Sequence, residues 1–199
     1  MHRRTYTVVM LLVLSTLTLA QYGPSAQSGV KLRGRSFSEL LGAQKVLLSN
    51  YCRLDFEGVR LQPAGWSRFK PFTSLRSNPE FTQIVIVKRF DIENSGEPTE
   101  LLQVNYQTVG FYRERDGYTT VSTKEQVAFR VQEQSGDLLI TEINPETPHV
   151  SPRAAMAWMN LRLADPKTSE LERAYLKDAI DQLTKSSQQP TPALTTPDK

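Results

Sequence analysis

The sequence predicts an α+β fold: a curved antiparallel sheet of about four long strands, packed by N-terminal helices and followed by a C-terminal helical hairpin. Three observations lead to this expectation. Residues 37–55 carry apolar side chains at helical spacing, residues 81–144 hold four extended runs separated by short turns, and residues 152–183 return to helical spacing. Runs joined by short turns pair antiparallel, and helices hide their apolar stripes by packing against such a sheet.

The first predicted helix is defined by one apolar face and by signals at both ends. Its apolar positions recur every three or four residues from Phe37 to Cys52. Ser36 followed by Glu39 predicts a capping box at the N-terminus. Gly58 marks the C-terminal end, because glycine readily adopts the left-handed backbone conformation that often ends a helix.

A short helix over residues 64–70 is predicted next, because Pro63 can begin a helix and Pro71 ends one. The strands that follow are of two kinds. Residues 84–87 are apolar at every position, which is typical of a strand covered on both faces. The second strand alternates, which predicts one buried and one polar face. Its predicted inward-facing residues are Leu102, Val104, Tyr106 and Tyr112.

The N-terminal segment predicts export. Residues 8–20 form an apolar run of 13 residues behind the basic pair Arg3 and Arg4. A membrane-spanning helix needs about 20 residues, whereas a run of this length suits the core of a signal peptide. We therefore expect a signal peptide at 1–28, a linker at 29–35, and a periplasmic or secreted chain without a stable membrane anchor after cleavage.

Residues 36–185 are expected to form a single α+β domain, because about 150 residues is the size of one ordinary domain. Hydrophobic residues make up 39% and charged residues 23% of the chain, so this segment can bury a core. Residues 186–199 are rich in proline, threonine and glutamine and hold one large apolar residue. They are predicted to be a disordered tail.

Charge and composition argue against several function classes. Without the signal peptide the chain has 22 basic and 21 acidic residues and no basic run, so no nucleic-acid partner is predicted. Cys52 is the only cysteine, so it is either a small buried apolar side chain or a reactive or intermolecular thiol. His149 is the only histidine after residue 28, and there is no glycine-rich phosphate loop. No metal or other cofactor is therefore predicted.

The order of helices before a long-stranded, curved antiparallel sheet resembles the nuclear transport factor 2-like fold over residues 37–144. The resemblance implies a cone whose first helices lie across the concave face, with a pocket between helices and sheet. Some members are isomerases or dehydratases, and many others only bind small ligands or dimerise. No catalytic motif of those enzymes can be placed here. Residues 51–66 also resemble a segment of uncharacterised exported bacterial proteins, which supplies no activity.

The candidate pocket residues follow from the polar end of the first helix. Tyr51 and Asp55 lie one helical turn apart. A partly desolvated Asp55 could act as a general base, with Tyr51 donating to an oxyanion; the alternative is an Asp55 that is solvated or paired with Arg53 or Arg60. Trp66 either stacks on a ligand or belongs to the core. The predicted ligand-binding residues are Tyr51, Asp55, Arg60, Trp66 and Tyr106.

Other polar residues have two interpretations each. His149 precedes the second helical segment and is expected at the surface, unless it serves a Ser-His-Asp or Cys-His arrangement. Arg130 and Glu142 are expected to pair across neighbouring strands. A polar row on the second strand is either a solvated outer face or a pocket lining. This row consists of Gln103, Asn105 and Gln107.

The expected function is an exported, non-enzymatic module that binds a small apolar ligand or a protein partner. The alternatives are a small acid–base enzyme, isomerase- or dehydratase-like, that uses Asp55, and a structural subunit of an envelope assembly that forms a homodimer. The enzyme hypothesis requires Asp55 to have a raised pKa and to face a closed cavity. The binding hypothesis requires an apolar pocket of a few hundred Å³ near Trp66 and Tyr51.

Overall fold

The computed structural model describes residues 36–94 and 96–188. The predicted signal peptide, the linker and residues 189–199 of the predicted tail lie outside the described residues, whereas residues 186–188, also predicted to belong to the disordered tail, form the end of the last helix. The α+β class is confirmed. The described elements are α1 (Phe37–Phe56), two 3-10 turns (Val59–Leu61 and Gly65–Arg68), β1 (Gln83–Ile92), β2 (Leu101–Arg113), β3 (Gly117–Gln134), β4 (Asp137–Asn144), β5 (His149–Val150), α2 (Pro152–Ala164) and α3 (Glu170–Gln188).

The sheet is a curled half-barrel in the order β4-β3-β2-β1-β5. The four predicted strands pair antiparallel, and the two-residue strand β5 pairs parallel with β1, which makes the sheet mixed. Two residues are too few to show a period of two in the sequence, so β5 was not predicted. Its position matters because it brings His149 beside the interior.

The signals at both ends of α1 act as predicted. The carboxylate Oε2 of Glu39 accepts a hydrogen bond from the backbone N–H of Ser36 at 2.6 Å. The helix ends at Phe56, and Gly58 has a φ of 73°. A Cβ on Gly58 would also lie 2.8 Å from the Cβ of Ala154. Glycine therefore permits both the turn after α1 and the close approach of α2.

Strand β1 is covered on both faces, as its uninterrupted apolar run predicted. Val85 and Val87 belong to a core that α1 covers, which we call the α1-side core. Ile84 and Ile86 belong to a second core with α2 and α3, which we call the hairpin-side core. The sheet is therefore buried between α1 and the C-terminal helices in the region of β1, and such double coverage explains why no polar residue alternates there.

The predicted inward face of β2 is correct for Leu102, Val104 and Tyr106, but wrong for Tyr112. The first three lie in the α1-side core. A register shift between Thr108 and Gly110 interrupts the ladder, and a β-bulge of this kind changes which face the following side chains take. The ring of Tyr112 accordingly packs in the hairpin-side core, edge-on to the ring of Trp158 at 5.8 Å between centroids.

The helices after the sheet form where they were predicted. The hydroxyl of Ser151 accepts a hydrogen bond from the backbone N–H of Ala154 at 3.2 Å, and Pro152 occupies the first turn of α2. Helices α2 and α3 pack against each other, with α2 against β1 and α3 against β3. The short helix predicted over residues 64–70 is present as a 3-10 helix over Gly65–Arg68, which packs tightly against the turn before it.

Candidate functional site

The structure brings the five candidate residues together at the polar end of the α1-side core. The exposed fraction is 1% for Tyr51, 2% for Tyr106, 2% for Arg60 and 3% for Asp55, while Trp66 is half-buried. Spacing along α1 therefore identified a real cluster. Its members are packed against one another and against the sheet, so the chemistry of each depends on its buried neighbours.

The carboxylate of Asp55 contacts two neighbouring groups. Its Oδ2 accepts a hydrogen bond from the backbone N–H of His149 at 3.0 Å and lies 3.9 Å from Nη1 of Arg60. Pairing of Asp55 with Arg60, one of the predicted alternatives, is confirmed. Burial raises the pKa of Asp55, and the charge of Arg60 and the His149 N–H oppose that rise.

Arg60 ties two distant segments of the chain to the end of α1. Its Nε donates to Oδ1 of Asn78 at 2.8 Å, and its Nη2 donates to the backbone carbonyl of Glu146. Its guanidinium also lies 5.8 Å from the ring centroid of Trp66. A buried charge needs such complete pairing because its desolvation is costly. Arg60 therefore acts as a structural anchor within this core.

Aromatic rings occupy the region where the binding hypothesis required an apolar pocket. The ring of Tyr51 packs edge-on against Phe69 at 4.9 Å and against Phe129 at 5.7 Å between centroids. Trp66 stacks on Phe69 at 5.2 Å. Burial of this kind raises the pKa of the Tyr51 hydroxyl far above its ordinary value. Of the two interpretations of Trp66, the structure supports the second: its ring packs against the α1-side core.

The expectation that His149 lies at the surface is wrong. Its backbone completes the sheet in β5, and its residue is 2% exposed. Its ring stacks on Tyr106 at 4.2 Å between centroids, and Nδ1 lies 2.8 Å from the backbone carbonyl of Thr147. Its Nε2 lies 3.4 Å from the carboxylate of Glu125, a residue that sequence reasoning did not identify.

Cys52 is a buried thiol, as one of its two interpretations held. The hydroxyl of Tyr106 donates to its Sγ at 3.2 Å. Burial raises the pKa of Cys52 to about 12. Since the thiolate is the nucleophilic form, a thiol with this pKa is unreactive at neutral pH.

The polar face of β2 lies opposite the α1-side core. Gln126, the neighbour of Asn105 on β3, donates through Nε2 to Oε2 of Glu93 at 2.9 Å. The predicted pair of Arg130 and Glu142 is confirmed at 2.9 Å between Nε and Oε2. These groups are exposed and satisfy one another, which is typical of a solvated outer face.

Three surface hollows meet at residues 81–83, where β1 begins. The first is a narrow, largely apolar cleft between Phe81, Tyr112 and Trp158. The second, of about 270 Å³, lies toward β5 between Glu80 and the segment 146–147. The third, of about 350 Å³, lies toward the end of β2 and is lined by Thr82, Arg113, Glu114, Arg115 and Asp116. None of these three hollows is lined by Asp55.

Comparison of the chain with protein-family models, curated proteins and solved structures finds no match. The resemblance to the nuclear transport factor 2-like fold therefore stays a prediction. Within residues 36–94 and 96–188, no helix is both long and apolar enough to cross a membrane. The same residues contain no group of three or more histidine, cysteine or acidic side chains placed to hold a metal ion.

Glu125 is expected to make the stability of the domain depend on pH. The imidazole of His149, whose Nε2 lies 3.4 Å from the carboxylate of Glu125, lowers the pKa of Glu125 below its ordinary value. A lowered pKa in the folded state stabilises the fold above the unfolded-state pKa, and this contribution is lost as pH falls through the folded-state pKa. The stability difference between wild type and Glu125→Gln should therefore shrink from about 1 kcal/mol or less toward zero between about pH 5 and pH 3.

Urea denaturation across this pH range checks the expectation. Glu133→Gln is the matched control, because it removes an exposed carboxylate from the same strand. A difference between wild type and Glu125→Gln that grew in acid would contradict the assignment.

Proposed function

We propose that this chain is an exported, non-enzymatic interaction module that binds a protein partner at the surface around residues 81–83, which we call the Thr82 surface. The observation that carries the proposal is the convergence of three hollows on this short segment. Thr82 lines all three hollows, so a protein that contacts this exposed residue lies against each of them. Export is inferred from the apolar run at residues 8–20. The fold is proposed to be a cone of the nuclear transport factor 2-like kind.

The chemistry of the Thr82 surface suits a protein partner. Phe81 and Trp158 are half-buried aromatic side chains, and Arg113 and Arg115 are exposed at its rim. Aromatic residues and arginine are enriched in protein–protein interfaces, where they supply most of the binding energy. Binding of a small ligand near Tyr51 has less support, because aromatic rings pack against Tyr51 where the ligand pocket was expected.

The environment of Asp55 supports the non-enzymatic part of the proposal. A general base must come within hydrogen-bond reach of the proton that it removes. The Asp55 side chain is 4% exposed, and its Oδ2 already accepts the backbone N–H of His149. Its raised pKa therefore has a structural cause, namely burial of the carboxylate, which the charge of Arg60 opposes.

A photo-cross-linking amino acid introduced at Thr82 tests the proposal in cells of the source organism. We expect a discrete protein adduct on irradiation, because Thr82 is exposed at the centre of the three hollows. The matched control carries the same amino acid at Gln126, which is exposed on the polar outer face. Absence of an adduct at Thr82, or equal adducts at both positions, would contradict the proposed binding surface.

A further inference from the structure

We infer that His149 is a pH-dependent switch for the Thr82 surface: with a proton on both ring nitrogens it links one wall of that surface to β3, and loss of the second proton breaks this link. The inference rests on the proposed function only in taking the Thr82 surface as the binding site. The two ring nitrogens of His149 contact Thr147 and Glu125, and these contacts carry the inference.

The wall in question is the segment of residues 146–149. Glu146 and Thr147 line the hollow of about 270 Å³ on the β5 side of Thr82. His149 follows them directly and is 2% exposed. Its imidazole therefore connects the lining of this hollow to the buried interior.

The contacts of the imidazole require a proton on each nitrogen. Nδ1 lies 2.8 Å from the backbone carbonyl oxygen of Thr147, and a carbonyl can only accept a hydrogen bond. Nε2 lies 3.4 Å from Oε2 of Glu125, and an ionised carboxylate likewise only accepts. A neutral imidazole has a single N–H and serves one of these acceptors, whereas the imidazolium serves both. The charged ring is therefore the form that fits this environment.

Carboxylates face the imidazole from two elements of the fold. Glu125 approaches it from β3, and Asp55 on α1 accepts the backbone N–H of the same histidine at 3.0 Å. The guanidinium of Arg60 has the opposite effect, but it lies 3.9 Å from Asp55 and is paired with it. Because the pKa of Glu125 is lowered, this carboxylate stays ionised in mildly acidic solution, where histidine is ordinarily protonated.

The other titratable groups packed around the imidazole stay uncharged. Tyr106 on β2 stacks on the ring at 4.2 Å between centroids, and its hydroxyl donates to Sγ of Cys52 on α1. Burial raises the pKa of Cys52 to about 12 and holds the pKa of Tyr106 well above its ordinary value. These two groups therefore keep the same charge across the pH range in which histidine titrates.

Loss of the second proton separates residues 146–149 from β3. Nδ1 keeps its hydrogen bond, and Nε2 then presents a lone pair to the lone pairs of the Glu125 carboxylate. The Glu125 side chain is 30% exposed, so it can turn into solvent. The segment is then held mainly by Asp55 and by the N–H of Val85, which donates to the carbonyl of Pro148 at 2.9 Å. A partner at this hollow must order a looser wall and binds less tightly.

NMR of the imidazole tests the protonation state directly. His149 is the only histidine after residue 28, so its ring signals in the exported full chain are unambiguous. A long-range ¹H–¹⁵N spectrum should show two protonated ring nitrogens at about pH 5.5 and one, Nδ1, at about pH 8. A single protonated nitrogen at the lower pH, or two at the higher pH, would overturn the switch.

Hydrogen exchange measures the release of the segment. The backbone N–H groups of His149 and Val85 attach β5 to the domain. After division by the intrinsic exchange rate, their protection in the wild type should fall at least about threefold from about pH 5.5 to about pH 8. Glu125→Gln should abolish this pH dependence, because an amide can accept from Nε2 or donate to it and so suits either form of the ring. Glu133→Gln is the matched control and should behave as the wild type.

The outcomes separate this inference from the proposed function. If protection changes as expected but Thr82 gives no cross-linked adduct, the switch holds and the binding surface does not. If Thr82 gives its adduct while protection is independent of pH, or while Glu125→Gln keeps the wild-type dependence, the proposed function holds and the switch is overturned. The N–H of Val131, which donates to the carbonyl of Glu100 at 2.7 Å, is the internal reference. An equal loss of protection there would mean that the whole domain loosens, which also overturns the switch.

Discussion

Replacing Asp55 by alanine is expected to lower the free energy of unfolding by about 3–5 kcal/mol. The change leaves the guanidinium of Arg60 buried without its carboxylate, 3.9 Å away in the wild type, and leaves the backbone N–H of His149 without its acceptor. Desolvated groups that lose a partner keep the full cost of their burial. Urea denaturation at pH 7, followed by far-UV circular dichroism, measures the effect.

Two comparisons make this prediction specific to the buried pair. Arg130→Ala breaks the exposed pair with Glu142 and should cost less than about 1 kcal/mol. Adding Arg60→Met to Asp55→Ala should recover part of the loss, because no buried charge then remains. If Asp55→Ala cost no more than Arg130→Ala, the buried pair would not hold the end of α1 to the rest of the domain.

The sequence indicated this pair as one of several alternatives for Asp55 but did not indicate its other partners, and the reason is distance along the chain. Tyr51, Asp55 and Arg60 lie on or just after one helix, so helical spacing places them together. His149 is 94 residues from Asp55 in the sequence and reaches it only because β5 pairs with β1. Glu125 reaches His149 from β3. Contacts of this kind depend on sheet order, which local patterns do not encode.

The sheet shows the same division between local and non-local information. Alternation and turns predicted β1 to β4, and the apolar run in β1 predicted that both its faces are covered. The side on which Tyr112 packs depends on the bulge between Thr108 and Gly110. A bulge is a mismatch in length between two paired strands, so neither strand reveals it alone.

The spacing of residues in the sequence also does not show whether a cluster is tightly packed or encloses a cavity. The rings of Tyr51, Phe69 and Phe129 interlock at 4.9 and 5.7 Å, and only their volumes in three dimensions determine that they fill the space under α1. The hollows at the Thr82 surface are formed by segments far apart in the chain.

Replacing Gly65 by alanine is expected to lower the free energy of unfolding by about 3 kcal/mol, at the upper end of the range for overpacking. A Cβ at this position would lie 1.7 Å from the carbonyl oxygen of Val59 and 2.7 Å from its carbonyl carbon. Both are backbone atoms, so no side-chain rotation can relieve the contact. The two 3-10 turns would have to separate, and Arg60 lies in the first of them.

Gly42→Ala provides a control in which the same substitution has the opposite sign. Gly42 lies inside α1, and a Cβ there would meet no heavy atom within 4 Å apart from its chain neighbours and the nearby backbone of its own helix. Alanine should therefore raise the stability by about 0.5–1 kcal/mol, because it restricts the unfolded chain without a new contact. Chemical denaturation of both variants decides the matter. If Gly65→Ala were as stable as wild type, the two 3-10 turns could not be in contact. The conclusion that this tight contact positions Arg60 beside Asp55 would then be wrong.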